Sequence, residues 1–256
     1  MTSPPRQPAS APSTRLNKFL ATAGVVSRRK ADELILEGRV VVNGVVVDSL
    51  GVKIHPDRDK VVVDGKQVSF LAQKLLYIVI NKPKDTITTA HDEKGRRTIM
   101  DYIRVKERVY PVGRLDRNTT GVLLLTNDGE FANGLMHPKQ EVKKAYHVTL
   151  DRAISHDEMM QLARGVRLRE GTTAEAEIVP IPGSKHKELG IVIHEGKNRQ
   201  IHRMMEAIGF EVVRLDRVAY AGITYAGLPR GRWRFLTRTE VRQLRRTIGM
   251  ETGDAT

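Results

Sequence analysis

The sequence has no cysteine, which excludes disulfides, thiolate nucleophiles, iron–sulfur clusters and cysteine-ligated zinc. That fits a reducing compartment, and a cytoplasmic protein is expected. Long apolar runs are missing as well. Leu75–Ile80 and Val122–Leu125 fall far short of the ~20 residues of a membrane helix, and Met1–Thr14 has no apolar signal-peptide core. Negative charge is the other shortage, with 30 Asp+Glu against 43 Lys+Arg and a net +13. Such a balance points to a polyanionic partner, nucleic acid first and anionic membrane a distant second. No HExxH occurs, and His194 and His202 lie eight apart across a turn with no carboxylate cluster, so no metal site is expected. The glycine pairs match neither a P-loop nor a dinucleotide fingerprint, so neither ATP nor NAD is indicated.

The 256 residues, 40% hydrophobic, suffice for one ordinary domain and a smaller one. Residues 1–13 hold Pro4, Pro5, Pro8 and Pro12 with few apolar groups, and a disordered tail is expected. Leu16, Phe19, Leu20 and Ala23 then make one apolar helical face closed by Gly24. Ser27 caps a second helix with Ala31, Leu34 and Ile35 inside and Gly38 as its stop. Its first turn carries Arg28, Arg29 and Lys30. Positive charge there opposes the helix dipole, so a phosphate ligand explains it better than local stability does. Val40–Val42 and Val45–Val47 flank Asn43-Gly44, and Val61–Val63 and Lys66–Val68 flank Asp64-Gly65, two strong hairpin signals. Residues 14–70 therefore read as a small binding module of two helices and a twisted sheet, with 10 basic against 7 acidic residues.

Residues 71–248 read as a second, larger domain and 249–256 as a tail. Its signals are mostly β: Leu75–Ile80, Val122–Leu125, Ala145–Leu150, Ala174–Val179, Leu189–Ile193, Glu211–Val218 and Arg232–Leu236. Helices are expected over Glu130–Met136, His156–Gly165 and Asn198–Ile208. The class is α+β.

Chemistry concentrates in a few polar stretches. Gly113-Arg114-Leu115-Asp116-Arg117-Asn118-Thr119-Thr120-Gly121 runs into the apolar strand Val122–Leu125. Flanking arginines keep Asp116 ionised, so it either acts as nucleophile or base, or accepts backbone N–H bonds and pairs with arginine as loop aspartates commonly do. Lys82-Pro83 offers a cation at a strand end, for phosphate contact or simply as a strand stop. Lys143-Lys144-Ala145-Tyr146 combines a basic pair with an aromatic, suited to a backbone and a flipped base, although a strand tyrosine is more often core. Glu195-Gly196-Lys197-Asn198-Arg199-Gln200-Ile201-His202-Arg203 gathers donors at a helix start, as a phosphate site or a solvated basic face.

Taken together, these residues resemble the bacterial ribosomal RNA pseudouridine synthases of the RsuA/RluB type, from Arg15 to about Arg246. The N-terminal part is similar to the alpha-L RNA-binding domain, in Arg15-Leu16-Asn17-Lys18-Phe19-Leu20, Ser27-Arg28-Arg29 and Gly38-Arg39-Val40-Val41-Val42-Asn43-Gly44. The more specific likeness lies in Gly113–Asp116 through Thr120-Gly121, with Lys82-Pro83, Lys144-Ala145-Tyr146 and Glu195–Ile201 in the family's order. The resemblance implies a mixed, mainly antiparallel sheet with flanking helices and no cofactor or metal. It implies a catalytic Asp116 that attacks or deprotonates the nucleoside so that uracil detaches, turns and rejoins through carbon 5. Tyr146 would stack on the flipped base, Ile201 would pack on its other side, and Arg114 would sit beside the carboxylate. Substrate contacts are expected from Arg203, Lys82, Lys144, Asn198 and Arg199, and RNA contacts of the module from Arg15, Lys18, Arg28, Arg29, Lys30 and Arg39.

Two positions depart from the family pattern. Relatives carry Lys-Pro-x-Gly where this chain has Lys82-Pro83-Lys84-Asp85, which is expected to alter the turn and weaken a backbone contact. The residue after Ile201, generally the Arg or Lys that pairs with the aspartate, is His202; either it takes that role or Arg203 shifts into it. With Asp116 raising the His202 pKa, activity should fall at alkaline pH. The module, the 60–68 hairpin and Gly227–Arg234 look more like large-subunit 23S rRNA enzymes than the small-subunit one. A non-catalytic ribosome-assembly protein would explain the charge but not the ordered motifs, and a glycosidase would lack a partner carboxylate. The partner is ribosomal RNA, free or within an assembly intermediate, and a monomer is expected.

Overall fold

Local turn chemistry accounts for much of the N-terminal unit. The computed structural model describes residues 13–68, 74–90 and 92–250; the expected tails at 1–13 and 249–256 and the junction at 70/71 lie wholly or largely outside them. The chain divides into two compact units, residues 1–75 and 76–256. In the first, α1 (Leu16–Thr22) buries Leu16, Phe19 and Leu20. Helix α2 (Arg28–Leu36) starts at Ser27, whose Oγ accepts from the Lys30 amide at 3.1 Å, and buries Ala31, Leu34 and Ile35. Strands β1 (Val40–Val42) and β2 (Val45–Val47) join through Asn43 and Gly44 at φ +52° and +86°. Strands β3 (Val61–Val63) and β4 (Lys66–Val68) join through Asp64 and Gly65 at +49° and +76°. Positive φ at both central positions matches the right-handed strand twist. The hairpins lie side by side in the order β2-β1-β3-β4, all antiparallel.

The second unit is built on nine strands. These include β5 (Tyr77–Lys82), β6 (Tyr110–Val112), β7 (Thr120–Thr126), β8 (Lys144–Leu150), β9 (Glu177–Pro180), β10 (Glu188–Ile193), β11 (Val212–Tyr220), β12 (Ile223–Thr224) and β13 (Trp233–Phe235). Their order is β9-β10-β8-β11-β7-β5-β13, with β6 on β7 and β12 on β11. All pairings are antiparallel except β11 with β7, which are parallel through Asp216↔Thr120 and Arg217↔Gly121. The apolar runs of β5 and β7 are explained by burial on both faces: Val79, Val122 and Leu124 enter one core, and Ile78, Ile80, Leu123 and Leu125 another. A third core collects Val148, Leu189, Ile191 and Leu215 under α4 (His156–Arg164) and α5 (Gln200–Ala207).

Several expected boundaries shift for identifiable reasons. The strand anticipated over Ala174–Val179 starts only at Glu177, because the Ala174 amide turns to the Glu195 carboxylate and the Ala176 amide to the Ala163 carbonyl. The helix expected from Asn198 begins at Gln200, since Arg199 adopts φ +46°. α3 (Gly129–Met136) is capped by Asp128. The final helix, α6 (Arg238–Thr247), escapes apolar periodicity because Leu244 is its one fully buried residue; its start is marked by a Thr237/Glu240 capping box.

Candidate active site

The segment from Gly113 to Thr119 is a loop, and its backbone is held from beneath. Lys82, at the end of β5, is fully buried. Its Nζ donates to the carbonyls of Thr119 at 2.8 Å, Asp116 at 3.0 Å, Arg117 at 3.1 Å and Pro83 at 3.2 Å. Burial pushes this ammonium down to about 8, opposed by the nearby Asp116 carboxylate. Lys82 therefore cannot serve as the expected phosphate contact; its charge is spent on the loop. Thr88 adds a second tie, donating to the Leu115 carbonyl at 2.8 Å. Asp85, at the position where the family pattern is expected to have glycine, adopts φ +59° and pairs with Arg117. Asp85 thereby ties the 82–85 turn to the Gly113–Thr119 loop.

Held this way, Asp116 is exposed at the mouth of a cleft of about 610 Å³. Its carboxylate takes no hydrogen bond or ion pair among the described residues. Arg114, Tyr146, Ile201, His202, Lys144, Asn198 and Arg199 line the same cleft. Tyr146 comes from β8, packs at the junction of two cores, and has no partner for its hydroxyl among the described residues. Ile201 is 3% exposed and belongs to the third core while facing the cleft. Gln200 fixes the turn before α5, with its Nε2 donating to Glu195 at 2.6 Å and its Oε1 accepting from the Lys197 amide at 3.0 Å. Lys144 is half-buried, and its Nζ donates to the carbonyls of Val142 at 2.7 Å and His194 at 3.3 Å. Burial, aided by Arg217, lowers it to about 8.

Helix geometry sends His202 and Arg203 in different directions, and neither pairs with the Asp116 carboxylate among the described residues. Neighbouring helical residues point about 100° apart: His202 faces the cleft, whereas Arg203 pairs with Glu170. Arg203 is thus absent from the cleft lining. The expected upward shift of His202 is also corrected. Burial and then Arg199 lower its pKa from 6.5, outweighing the pull of Asp116 and Glu206. No group of three or more potential metal ligands occurs among the described residues.

In the N-terminal unit Arg15, Lys18, Arg28, Arg29, Lys30 and Arg39 are all exposed. Lys30 pairs with Glu33 at 2.7 Å. Arg39 is engaged by Asp64 through two bonds of 2.7 Å and by Glu37 at 2.9 Å, so its charge is already matched. Arg28 and Arg29 have no carboxylate partner among the described residues.

Comparison with known proteins adds to this geometry. Residues 76–207 match the RNA pseudouridylate synthase family and residues 14–60 match the S4 domain. The "Ribosomal large subunit pseudouridine synthase B" of Bacillus subtilis is 47% identical over 90% of this chain and 95% of its own. This chain belongs to the RNA pseudouridylate synthase family. An "Uncharacterized RNA pseudouridine synthase" of Aquifex aeolicus is 44% identical over 93% of this chain and 96% of its own. A crystal structure of a pseudouridylate synthase matches with a TM-score of 0.66 at 29% identity, over 90% of this chain and 99% of the other. An RNA pseudouridine synthase with an N-terminal S4 domain is thus an isomerase with an RNA-binding module.

A buried arginine of the cleft is missing from the site residues expected from sequence. Arg217 of β11 lines it and is 3% exposed. The available signal is its register: two residues after Leu215, it occupies the inward face of a strand, where an arginine needs a reason.

Proposed function

We propose that this pseudouridine synthase acts on one uridine of large-subunit ribosomal RNA, with Asp116 as the group that attacks or deprotonates the nucleoside. The observation that carries this reading is the convergence of Asp116, Tyr146, Ile201 and His202 on one cleft. The large-subunit assignment is supported by the Bacillus subtilis relative, matched along nearly its whole length.

The chemistry suits these residues. The C1′–N1 bond breaks with its electron pair passing to the base, the uracil turns, and C1′–C5 forms. C5 then loses a proton and N1 gains one. Atoms and oxidation state balance within the nucleotide, so the step needs no co-substrate. Tyr146 offers a stacking face to the extruded base, with Ile201 on the other side, and Arg114, Lys144, Asn198 and Arg199 surround the strand with donors. His202 contributes as a neutral hydrogen-bonding group at pH 7. Residues 14–70 dock neighbouring RNA phosphates through Arg15, Lys18, Arg28 and Arg29, and residues 71–248 carry the reaction. We further assign a cytoplasmic monomer acting on a stem-loop uridine, in naked rRNA or an assembly particle. Among the described residues no helix is long and apolar enough to cross a membrane.

Purified protein is incubated with unmodified rRNA of both subunits, and pseudouridine is mapped by carbodiimide-block primer extension beside Asp116→Asn. One new site in large-subunit RNA, absent with Asp116→Asn, is expected. Modification confined to small-subunit RNA, or persisting with Asp116→Asn, overturns the reading.

A further inference from the structure

Strand β11 cannot easily move Arg217. The residue pairs with Tyr146 of β8 on one side and Gly121 of β7 on the other, and a Cβ at Gly121 would overlap the Arg217 carbonyl. The β8 pairing slips by one residue between Ala145 and Tyr146, leaving Val218 as an extra residue in β11. Such bulges redirect side chains beside active sites. The Arg217 Nε donates to the Val122 carbonyl at 2.8 Å, and its guanidinium carbon stands 4.9 Å from the Tyr220 ring centre. Its Nη2 is buried and has no hydrogen-bond partner in the described structure.

A buried donor left unpaired is costly and calls for an explanation; in this cleft Thr119 Oγ1 and His202 Nδ1 are unpartnered as well, but Arg217 alone of the three carries a fixed positive charge. Of the other cations that line the cleft, Lys197 pairs with Glu195 at 3.0 Å, Arg199 with Glu206 at 3.6 Å and Lys144 with two carbonyls, while Arg114 is exposed to solvent. Burial, followed by Arg199, lowers the His202 pKa from 6.5, which disfavours its charged form. Arg217 is the buried cation of the cleft that has no carboxylate partner among the described residues and that cannot lose its proton.

We propose that Arg217 stabilises the departing base: its unpaired Nη2–H donates to a ring carbonyl oxygen of the flipped uracil, a role that depends on Asp116 opening the glycosidic bond in this same cleft. When C1′–N1 breaks, the electron pair passes to the uracil ring and spreads over N1 and the two carbonyl oxygens. C1′–C5 bond formation, loss of the C5 proton and protonation of N1 then discharge the ring. Arg217 exchanges no proton. A fixed donor aimed where charge develops needs no rearrangement at the moment of reaction.

Wild type, Asp116→Asn, Arg217→Gln and Arg217→Lys are compared on large-subunit rRNA transcript, under single turnover at saturating protein, with RNA affinity by filter binding and folding by thermal melting. The expected result is an Arg217→Gln rate about 100-fold lower with RNA affinity within about two-fold, and a partial return in Arg217→Lys. A full-rate Arg217→Gln, or a loss confined to affinity, overturns the proposal. If the variants do not fold, native protein is given the stem-loop around the mapped uridine with 2-thio- or 4-thiouracil at the target. Sulfur accepts hydrogen bonds poorly yet makes the departing anion more stable. Slowing at one position is expected, and no slowing at either overturns the assignment. A wild type that makes no pseudouridine refutes the Asp116 reading itself, whereas active wild type, inactive Asp116→Asn and full-rate Arg217→Gln refute only the role of Arg217.

Discussion

Replacing Lys82 by methionine removes a charge that the fold has buried and the four bonds that charge makes. Two opposing quantities decide the outcome. Burial lowers the ammonium from 10.5 to about 8, which costs on the order of 3 kcal/mol at neutral pH and is relieved by the substitution. Against it stand hydrogen bonds to the carbonyls of Thr119, Asp116, Arg117 and Pro83, each worth about 1.5–3 kcal/mol when the donor is charged. Asp116 and Arg117 are exposed, so their carbonyls regain water; the others regain it less well. The balance runs from about 3 to 9 kcal/mol with all four bonds counted and from about 0 to 3 with only the two to the less exposed carbonyls, so a net loss of about 3 kcal/mol is expected, or roughly 6–12 °C in melting temperature for a unit of this size. Activity should fall further than stability, because a displacement of about 1 Å at Asp116 costs on the order of 100-fold.

Proton linkage supplies a sharper signature. The folded pKa lies below the unfolded one, so between about pH 8 and 10.5 the unfolded chain binds a proton that the folded chain does not. Stability from this group therefore rises with pH across that window and is lowest below it. The melting-temperature gap between wild type and Lys82→Met should widen from pH 8 towards 10.5. Urea melts across that range test it: a gap that narrows with rising pH, or an Lys82→Met enzyme of full activity, would refute the clamp.

Three further outcomes follow from the same structure. Because burial and Arg199 lower His202 below 6.5, the unfolded chain takes up its proton first as pH falls, and stability from this group is lost on the acid side. Single-turnover rates should show no His202-dependent decline between pH 7 and 9; an alkaline limb abolished by His202→Gln would contradict this. Gly121→Ala forces a methyl group into the Arg217 carbonyl at φ +107°, for a loss of roughly 3 kcal/mol or more, read as insolubility or a melting drop of at least about 6 °C. Ser27→Ala removes the α2 cap at the Lys30 amide, about 1 kcal/mol, so that amide should exchange roughly five-fold faster; unchanged protection would dismiss the cap.

Local order was readable where neighbours decide it. Asn43-Gly44 and Asp64-Gly65 turn their hairpins because both residues of each pair take positive φ, and Ser27 caps its helix through an amide only three residues away. The unbroken apolar runs of β5 and β7 announce strands, and the structure buries both of their faces. α5 starts two residues later than its sequence predicts because Gln200 folds back on Glu195, a contact that apolar spacing does not encode. α6 went unseen because its periodicity rests on Leu244 and two partly buried neighbours, Val241 and Arg245.

By itself the sequence determined the charge of the partner, the hairpins, most strands, and the motif order that identifies the family. Those are properties of composition and of residues within a few positions of one another. What only the tertiary structure decided is where each polar side chain points. Lys82 turns inward because four carbonyls, three of them more than thirty residues away, wait beneath the loop. His202 and not Arg203 faces the cleft because of one step around a helix, and Arg217 enters it because β11 runs between β8 and β7. A side chain's chemistry is written in its residue type, but its partners are set by strands and loops far along the chain that meet only when the sheet has formed.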